Sequence, residues 1–341
     1  MTVYKRRWIK FKSIKRGYLS LIVLSALYIL SFLLPFFINK DALVVKYNGN
    51  YYFPVLKYYP ASVFGQEGSS EANYRKLKSR LTGDNFVVMP PVPFGPNESL
   101  INELNGVPPL RPDSEHIFGI DDRGRDVFAR VMYGFNISFS FSLLVTFLSF
   151  ALGIALGLIS GFYGGKTDIT MQRLFEIWAS LPFLYIIILV SSLFEPKFFT
   201  LCLIMILFNW TGITYYVRGE VLKEKTKDYI LAARSCGLSD SAIMFRHLLP
   251  NAMTPVITFA PFALIGNMGL IVALDFLGFC LQPPTPSWGQ LIQQAFATSV
   301  IDKWWLVVFP LAMQFIILLL IVFVGESVRE AFDPKVYAKY K

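Results

Sequence analysis

The chain has 341 residues, of which 54% are hydrophobic and only 16% are charged, and its mean hydropathy is +0.50. A water-soluble domain carries about a quarter charged residues, so this composition excludes an ordinary soluble protein and predicts an all-α polytopic membrane protein. The net charge of +9 does not indicate nucleic-acid binding, because the basic residues do not form a binding face.

The N-terminus is strongly basic. The residues before the first apolar run include no acid and seven bases: Lys5, Arg6, Arg7, Lys10, Lys12, Lys15 and Arg16. Positive charge is retained on the cytoplasmic side, so residues 1–17 are predicted to be cytoplasmic. A cleaved signal peptide would begin in the same way, but the apolar run 18–38 is too long for a signal core and lacks a small-residue cleavage site. We therefore predict that this run is the first membrane span.

A long hydrophilic stretch follows, from residue 39 to about residue 136. It is neutral, with eleven Lys and Arg and eleven Asp and Glu between residues 39 and 133. Long loops cross the membrane largely regardless of charge, so an extracytoplasmic location is consistent with this balance. Asn48-Gly49 is a strong signal for a two-residue turn, which predicts a hairpin over residues 47–53 within a small extracytoplasmic subdomain.

The membrane-embedded core is predicted over residues 137–324 and contains spans two to six. The apolar runs that form them are 137–159, 175–194, 198–217, 252–278 and 304–324. Alternation from a cytoplasmic N-terminus returns the tail 325–341 to the cytoplasm. It also places the polar stretch 218–251 in the cytoplasm. That stretch contains six Lys and Arg, and positive charge is typical of cytoplasmic loops.

The second span ends in a regular series of glycines. Gly153, Gly157 and Gly161 recur every four residues and so lie on one face of a helix. In lipid, such a groove permits close packing with another helix, inside the bundle or against a partner. A substrate-lining role is the alternative.

Residues 227–251 are predicted to form two short helices joined by a turn. Helix formers and small residues cover 228–236, and Gly237 is placed to adopt the left-handed conformation that ends a helix. Ser239 is predicted to cap the second helix, which we expect Pro250 to end. A polar helix pair between two spans cannot lie in lipid, so it must dock on a surface outside the membrane.

Motifs for catalysis, nucleotides and metals are not found. The segment Gly161–Thr167 resembles a P-loop, but its first glycine is misplaced and it follows a membrane span rather than a strand. His116 and His247 have no second histidine at metal spacing, and the cysteines form neither a metal nor a disulfide pattern. These cysteines are Cys202, Cys236 and Cys280. No cofactor, metal or catalytic site is therefore expected in this chain.

Asp275 lies near the outer end of span five. Ionisable residues in spans are functional candidates by default, but this position close to the interface is equally suited to capping or snorkelling. Both interpretations remain open.

Several separated motifs resemble one family of transporters. Ala232-Ala233, Gly237 and, after nine further residues, His247-Leu-Leu-Pro250 are similar to the EAA loop of ABC importer permeases. Ile117-Phe-Gly-Ile-Asp-Asp-Arg-Gly-Arg-Asp-Val127 and the segment 276–289 resemble stretches beside spans two and five in C-type permeases of di- and oligopeptide importers. The C-terminal segment 326–334 resembles their ending. The long first loop is similar to that of the YejE-type branch, whose family substrates include peptides and microcin C.

Three positions depart from the family pattern. Leu231 replaces the glutamate that names the EAA loop, and its loss removes one charge-assisted contact with a partner. Ile120 replaces the usual threonine before the aspartate pair, and Asn136 replaces a frequent arginine.

The resemblance implies the type I ABC importer permease fold, with six transmembrane helices, in a non-catalytic subunit of the bacterial inner membrane. It implies three kinds of partner: a second six-helix permease, a cytoplasmic ATPase with two domains that bind Mg-ATP, and an extracytoplasmic peptide-binding protein. It also implies a set of ATPase-coupling residues. They are Asp228, Tyr229, Ala232, Ala233, Gly237, His247, Leu248 and Pro250. The residues that line the substrate pathway are not indicated.

Two other classes of function predict different features in the sequence. An ATP-independent secondary transporter predicts ionisable groups near the middle of the membrane and an internal repeat, whereas Glu176 and Asp275 lie near span ends and the spans show no clear halves. A membrane-bound enzyme or a scaffold is the other alternative, and the missing catalytic residues argue against the enzyme.

Overall fold

A computed structural model of the chain describes residues 3–66, 71–81, 84–194, 197–279, 281–298 and 301–332. The described chain is mostly helical. Four helices are long and apolar enough to cross a membrane: Val127–Tyr163, Phe198–Glu224, Asp240–Phe276 and Trp305–Phe332. Two further pairs of helices are apolar enough but bent, so the candidate spans number four to six.

The first bent pair is α1 (Val3–Ser13) and α2 (Lys15–Ser31), which meet at 94°. The predicted span 18–38 is not one continuous helix, because α2 ends at Ser31 and a short helix α3 (Leu34–Phe37) follows. Pro35 has no N–H to bond the carbonyl of Ser31, so it cannot continue the ladder of α2. The apolar run is therefore divided.

A three-stranded antiparallel sheet follows, in the order β2-β1-β3. Its strands are β1 (Val44–Tyr47), β2 (Asn50–Tyr52) and β3 (Phe86–Val88). Asn48 (φ 49°) and Gly49 (φ 82°) both lie in the left-handed region, as a type I′ turn requires, and the predicted hairpin is confirmed. A 3-10 turn (Ala61–Phe64) and helix α4 (Tyr74–Arg80) pack on the sheet through a small apolar core. These elements form the sheet subdomain.

The segment after the subdomain is held to the start of α5 (Val127–Tyr163) by buried polar groups. The Asp126 side chain caps α5, accepting the Ala129 N–H at 2.8 Å, and lies 2.9 Å from Nδ1 of His116. Burial lowers the pKa of His116, but the hydrogen bond and the charge of Asp126 outweigh it, so the pKa lies above its usual value. His116 is thus part of a helix cap.

Helix α5 packs along α8 (Phe198–Glu224) through its glycines. A Cβ atom added to Gly153 would lie 2.6 Å from the carbonyl oxygen of Trp210, and one added to Gly157 would lie 2.7 Å from that of Thr214. The predicted use of the glycine groove for close packing is confirmed, and α8 of the same chain occupies it.

We predict that Gly157→Val removes most of the chain from the membrane fraction. The valine side chain would meet the backbone of α8, which cannot move aside without opening the α5–α8 contact, and overpacking of this kind costs about 1–3 kcal/mol or more. Quantitative immunoblotting of membranes measures the loss. Gly219→Val is the matched control, because a Cβ atom at Gly219 of α8 meets no described heavy atom within 4 Å. Equal abundance of the two variants would contradict this account.

The second bent pair, α6 (Gly165–Ala179) and α7 (Phe183–Leu193), has an angle of 60°. The predicted span 175–194 is not one continuous helix, because Pro182 is the residue before α7 and the chain turns before it. The P-loop-like segment is a turn between α5 and α6, with Gly164 (φ 64°) at its centre. The segment is flanked by helices on both sides.

The remaining long helices are α11 (Leu249–Phe276) and α13 (Trp305–Phe332). Between them lies a short helix, α12 (Trp288–Thr298), which was not predicted from the sequence. Asp275 of α11 accepts the Leu281 N–H at 2.8 Å and a bond from the Ser287 hydroxyl. Its side chain therefore holds the connection to α12, which supports the capping interpretation.

Both described ends of the chain lie together. Lys10 of α1 lies 3.6 Å from Glu330 of α13, and the guanidinium of Arg7 lies 4.5 Å from the ring centre of Phe332. Helix α13 begins beside Ile120, whose carbonyl accepts the Trp305 indole N–H at 3.3 Å, and its 28 residues extend about 42 Å to the opposite end of the bundle.

Candidate functional site

The stretch 227–251 begins with helix α9 (Asp228–Ser235), which ends in a complete Schellman motif. The Leu238 N–H donates to the Ala233 carbonyl at 3.3 Å, and the Gly237 N–H donates to that of Arg234 at 3.0 Å. Gly237 has φ 77°, so the predicted left-handed conformation is confirmed. Its Cβ position is open, with no described heavy atom within 4 Å.

The second helix of the stretch is not short. Ser239 caps it as predicted, with its hydroxyl 3.4 Å from the Ala242 N–H. It continues from α10 (Asp240–Ala242) through a π-helical segment (Ile243–Leu248) into α11, so the prediction that Pro250 ends it is wrong. A proline at this point lacks an N–H, and its ring crowds the carbonyl four residues earlier. The wider π turn accommodates both.

One face of the stretch is anchored on the bundle. Ile230, Ile243 and Leu248 are at most 1% exposed and belong to one apolar cluster with Val217 and Val221 of α8. The stretch thus moves with α8 as well as with α11, because separating these side chains would expose buried apolar surface.

A polar clamp joins α8, α9 and α11. The buried carboxylate of Glu224 accepts hydrogen bonds from Lys227 and, at 2.7 Å, from the Tyr229 hydroxyl. The Asn251 side-chain amide donates to the Tyr229 hydroxyl at 2.9 Å and to the His247 carbonyl at 3.0 Å. Burial and the bond to Glu224 raise the pKa of Tyr229 to about 12, so this hydroxyl remains a donor at neutral pH.

We predict that Tyr229→Phe loosens α9 without unfolding the bundle. Removing the hydroxyl leaves part of the Glu224 carboxylate unpaired, at a cost of about 1–3 kcal/mol. Hydrogen exchange of the amides of α9 is expected to become about tenfold faster. Tyr163→Phe, at an exposed tyrosine, is the control with unchanged exchange. Identical exchange in the Tyr229 variant and the wild type would disprove the clamp.

The opposite face of the stretch exposes large apolar side chains. Leu231 is 51% exposed and Phe245 is 64% exposed. Tyr229, Ala232 and Gly237 are also exposed. We name these five residues the docking face. Leu231 and Phe245 therefore leave apolar surface that is not covered within the described chain.

The eight predicted coupling residues divide by burial. Those that are exposed are Asp228, Tyr229, Ala232 and Gly237; those partly buried are Ala233, His247 and Pro250. Leu248 is fully buried and packs the stretch against the bundle, so its side chain is not available to a partner. Sequence reasoning missed Glu224 and Phe245. The i, i+3 spacing of Glu224 and Lys227 was a usable signal, whereas the exposure of Phe245 depends on the π segment.

The stretch and the sheet subdomain lie at opposite ends of α5. Lys225 donates to the Gly161 carbonyl at 2.7 Å, and the Arg234 guanidinium lies 5.6 Å from the Phe162 ring centre, both at the C-terminal end of α5. The 37 residues of α5 extend about 55 Å, which is more than the thickness of a bilayer.

Metal ligands do not cluster in the described part of the chain, where no group of three His, Cys, Asp or Glu side chains could hold an ion. Cys202 is buried and Cys236 is exposed, both with free thiols, and Cys280 lies outside the described residues.

Residues 153–337 match the family described as binding-protein-dependent transport system inner membrane component. The chain belongs to this family. It is 40% identical over 335 residues to the inner membrane ABC transporter permease protein YejE of Escherichia coli K12, covering 97% of each chain. It is 36% identical to the peptidoglycan transport system permease protein YejE of Agrobacterium fabrum, covering 97% of this chain and 93% of that protein.

A more distant relative is a permease as well. The oligopeptide transport system permease protein OppC of Haemophilus influenzae is 33% identical over 73% of this chain and 80% of its own length. A chain of the inward-facing MetNI methionine ABC transporter aligns with a TM-score of 0.47 and 17% identity, covering 60% of this chain and 96% of that one.

These relatives identify the chain as an ABC transporter permease subunit of the inner membrane. The predicted assignment to a non-catalytic transport subunit is confirmed by them. The alternatives of a secondary transporter, an enzyme and a scaffold are excluded.

Proposed function

We propose that this chain is one of two permease subunits of an ATP-driven importer of peptides or peptide-like compounds. The proteins it resembles are named for the transport of peptidoglycan, oligopeptides and dipeptides, and peptide bonds are common to these substrates. Six spans, with the bent pairs counted as one each, then place both termini in the cytoplasm with the stretch 227–251. The contact of α1 with the end of α13 supports this arrangement.

The proposed partners are a second six-helix permease, an ATPase with two domains that bind Mg-ATP, and an extracytoplasmic peptide-binding protein. The ATPase binds the docking face. The sheet subdomain, at the other end of α5, faces the compartment from which the binding protein delivers substrate.

The observation that carries this proposal is that the stretch 227–251 continues directly into the membrane helix that ends at Phe276. Closure of the ATPase dimer displaces α9 and α10, and the helix Asp240–Phe276 transmits the displacement into the bundle because it contains no break. Helix α8 moves with it through the shared apolar cluster. This rigid-body motion opens the pathway alternately to the two sides, and by linkage substrate delivery favours ATPase closure.

Uptake of a labelled peptide panel by cells with and without this chain, all other components being intact, tests the proposal. We expect uptake of at least part of the panel to fall to background without the chain and to return when it is restored. Uptake of a free amino acid is the control and is expected to remain unchanged. Purification of the chain in a mild detergent is expected to yield an ATPase in fixed stoichiometry. Unchanged uptake of every peptide would overturn the proposed substrate class.

A further inference from the structure

A pocket that contains four polar side chains lies between three long helices, away from their ends. Its volume is about 370 Å³. Its polar side chains are Thr146 and Ser149 of α5, Asn209 of α8 and Asn267 of α11. Each is at least nine residues, or about 13 Å, from either end of its helix, so all four lie deep in the membrane if these helices span it.

Two of these groups are satisfied by each other, and two are not. The Asn267 amide donates to the Thr146 hydroxyl at 2.9 Å. The hydroxyl of Ser149 and the side-chain nitrogen of Asn209 are buried and have no hydrogen-bond partner among the described residues. Ser149 is 1% exposed. An unpaired polar group is costly in a protein interior and in lipid, so these two groups favour a hydrogen-bonding partner from outside this chain.

The pocket is open space rather than loose packing. Gly266 lines it, and a Cβ atom added there would meet no described heavy atom within 4 Å. The other lining residues are apolar: Phe150, Ala263 and Leu270. No residue that lines the pocket is ionisable, so the pocket is suited to a neutral polar group and not to a charged terminus.

We infer that this pocket binds the peptide backbone of the substrate during its passage through the membrane. The side-chain nitrogen of Asn209 donates to a substrate carbonyl oxygen, and the Ser149 hydroxyl accepts from a substrate amide N–H. The inference rests on the proposed function and adds the contact site to it. Since every peptide bond offers the same donor and acceptor, such a site serves peptides of different side chains.

The test uses the full complex reconstituted in proteoliposomes, with the binding protein saturated by one peptide or by the same peptide methylated at one internal amide nitrogen. Methylation removes the N–H that the Ser149 hydroxyl accepts. We expect the wild type to transport the methylated peptide about five- to tenfold more slowly. We expect the variant with Ser149→Ala and Asn209→Ala to transport both peptides slowly and at equal rates.

Ser142→Ala is the matched control. Ser142 is a fully buried serine on the same helix, and its hydroxyl already donates to the Ser138 carbonyl at 2.8 Å. This variant is expected to keep the wild-type rate and the wild-type discrimination between the two peptides.

Three results would overturn the inference. They are equal transport of both peptides by the wild type, retained discrimination in the double variant, and loss of the second permease from the purified double variant. The last would assign the pocket to a subunit interface. In each case the proposed function stands if the wild-type complex transports the unmodified peptide. A wild-type complex that transports no peptide at all would instead contradict the proposed function.

Discussion

Uptake of peptide is expected to fall at least about tenfold when Gly237 is replaced by valine, with the chain at normal abundance in the membrane. The residue has φ 77°, where a β-branched side chain is strained by about 1–3 kcal/mol. The strain acts on the Schellman motif that ends α9 and therefore on the shape of the docking face. A collision inside the chain is not the cause, because a Cβ atom at this position meets no described heavy atom within 4 Å.

Two variants separate this effect from general destabilisation. Gly49→Val has the same kind of strain (φ 82°) and the same open surroundings, but it lies in the sheet subdomain at the other end of α5. We expect it to retain uptake. Gly237→Asn is expected to retain uptake as well, since asparagine tolerates the left-handed region, as Asn48 does here. Normal uptake by Gly237→Val, measured per molecule of membrane-inserted chain, would remove the docking assignment.

Phe245→Ala is expected to weaken association with the ATPase by about 2 kcal/mol or more, which is about thirtyfold in affinity. Phe245 is 64% exposed, whereas its neighbour Met244 is buried, so truncation removes contact area with a partner and little packing within the chain. Buried aromatic side chains at the centre of an interface contribute most to its affinity. The measurement is titration of the purified ATPase onto the permease in nanodiscs.

Phe53→Ala is the control for that titration. Phe53 is a similarly exposed phenylalanine, but it follows β2 in the sheet subdomain. Its truncation is expected to leave ATPase affinity unchanged. Equal affinities of the Phe245 and Phe53 variants would show that Phe245 lies outside the interface.

Features set by neighbouring residues could be predicted from the sequence. The left-handed Gly237, the Ser239 cap and the Asn48-Gly49 turn each follow from the conformational preferences of one or two residues. The glycine groove of α5 follows from helical periodicity. In these cases local chemistry and the final fold agree.

Features that depend on several helices could not be predicted. In the sequence, Pro250 predicts the end of a helix. The π turn that lets the helix continue beyond Pro250 is favoured by the packing of Ile243 and Leu248 against the bundle, which the sequence does not show. The pocket near Ser149 and Asn209 was missed because its residues are far apart in the chain and each alone resembles an ordinary polar residue in a span.

The π segment Ile243–Leu248 also fixes the rotational phase between two distant surfaces on one helix. Each residue of an α-helix turns the chain by about 100°, so deletion of one residue from the α-helix between Leu249 and Asn267 would rotate the π segment and Asp240–Ala242 by about that angle relative to Asn267. The composition of both surfaces would be unchanged, yet the docking stretch would present a different side. The number of residues that join these two surfaces is therefore constrained as strictly as the identity of the residues.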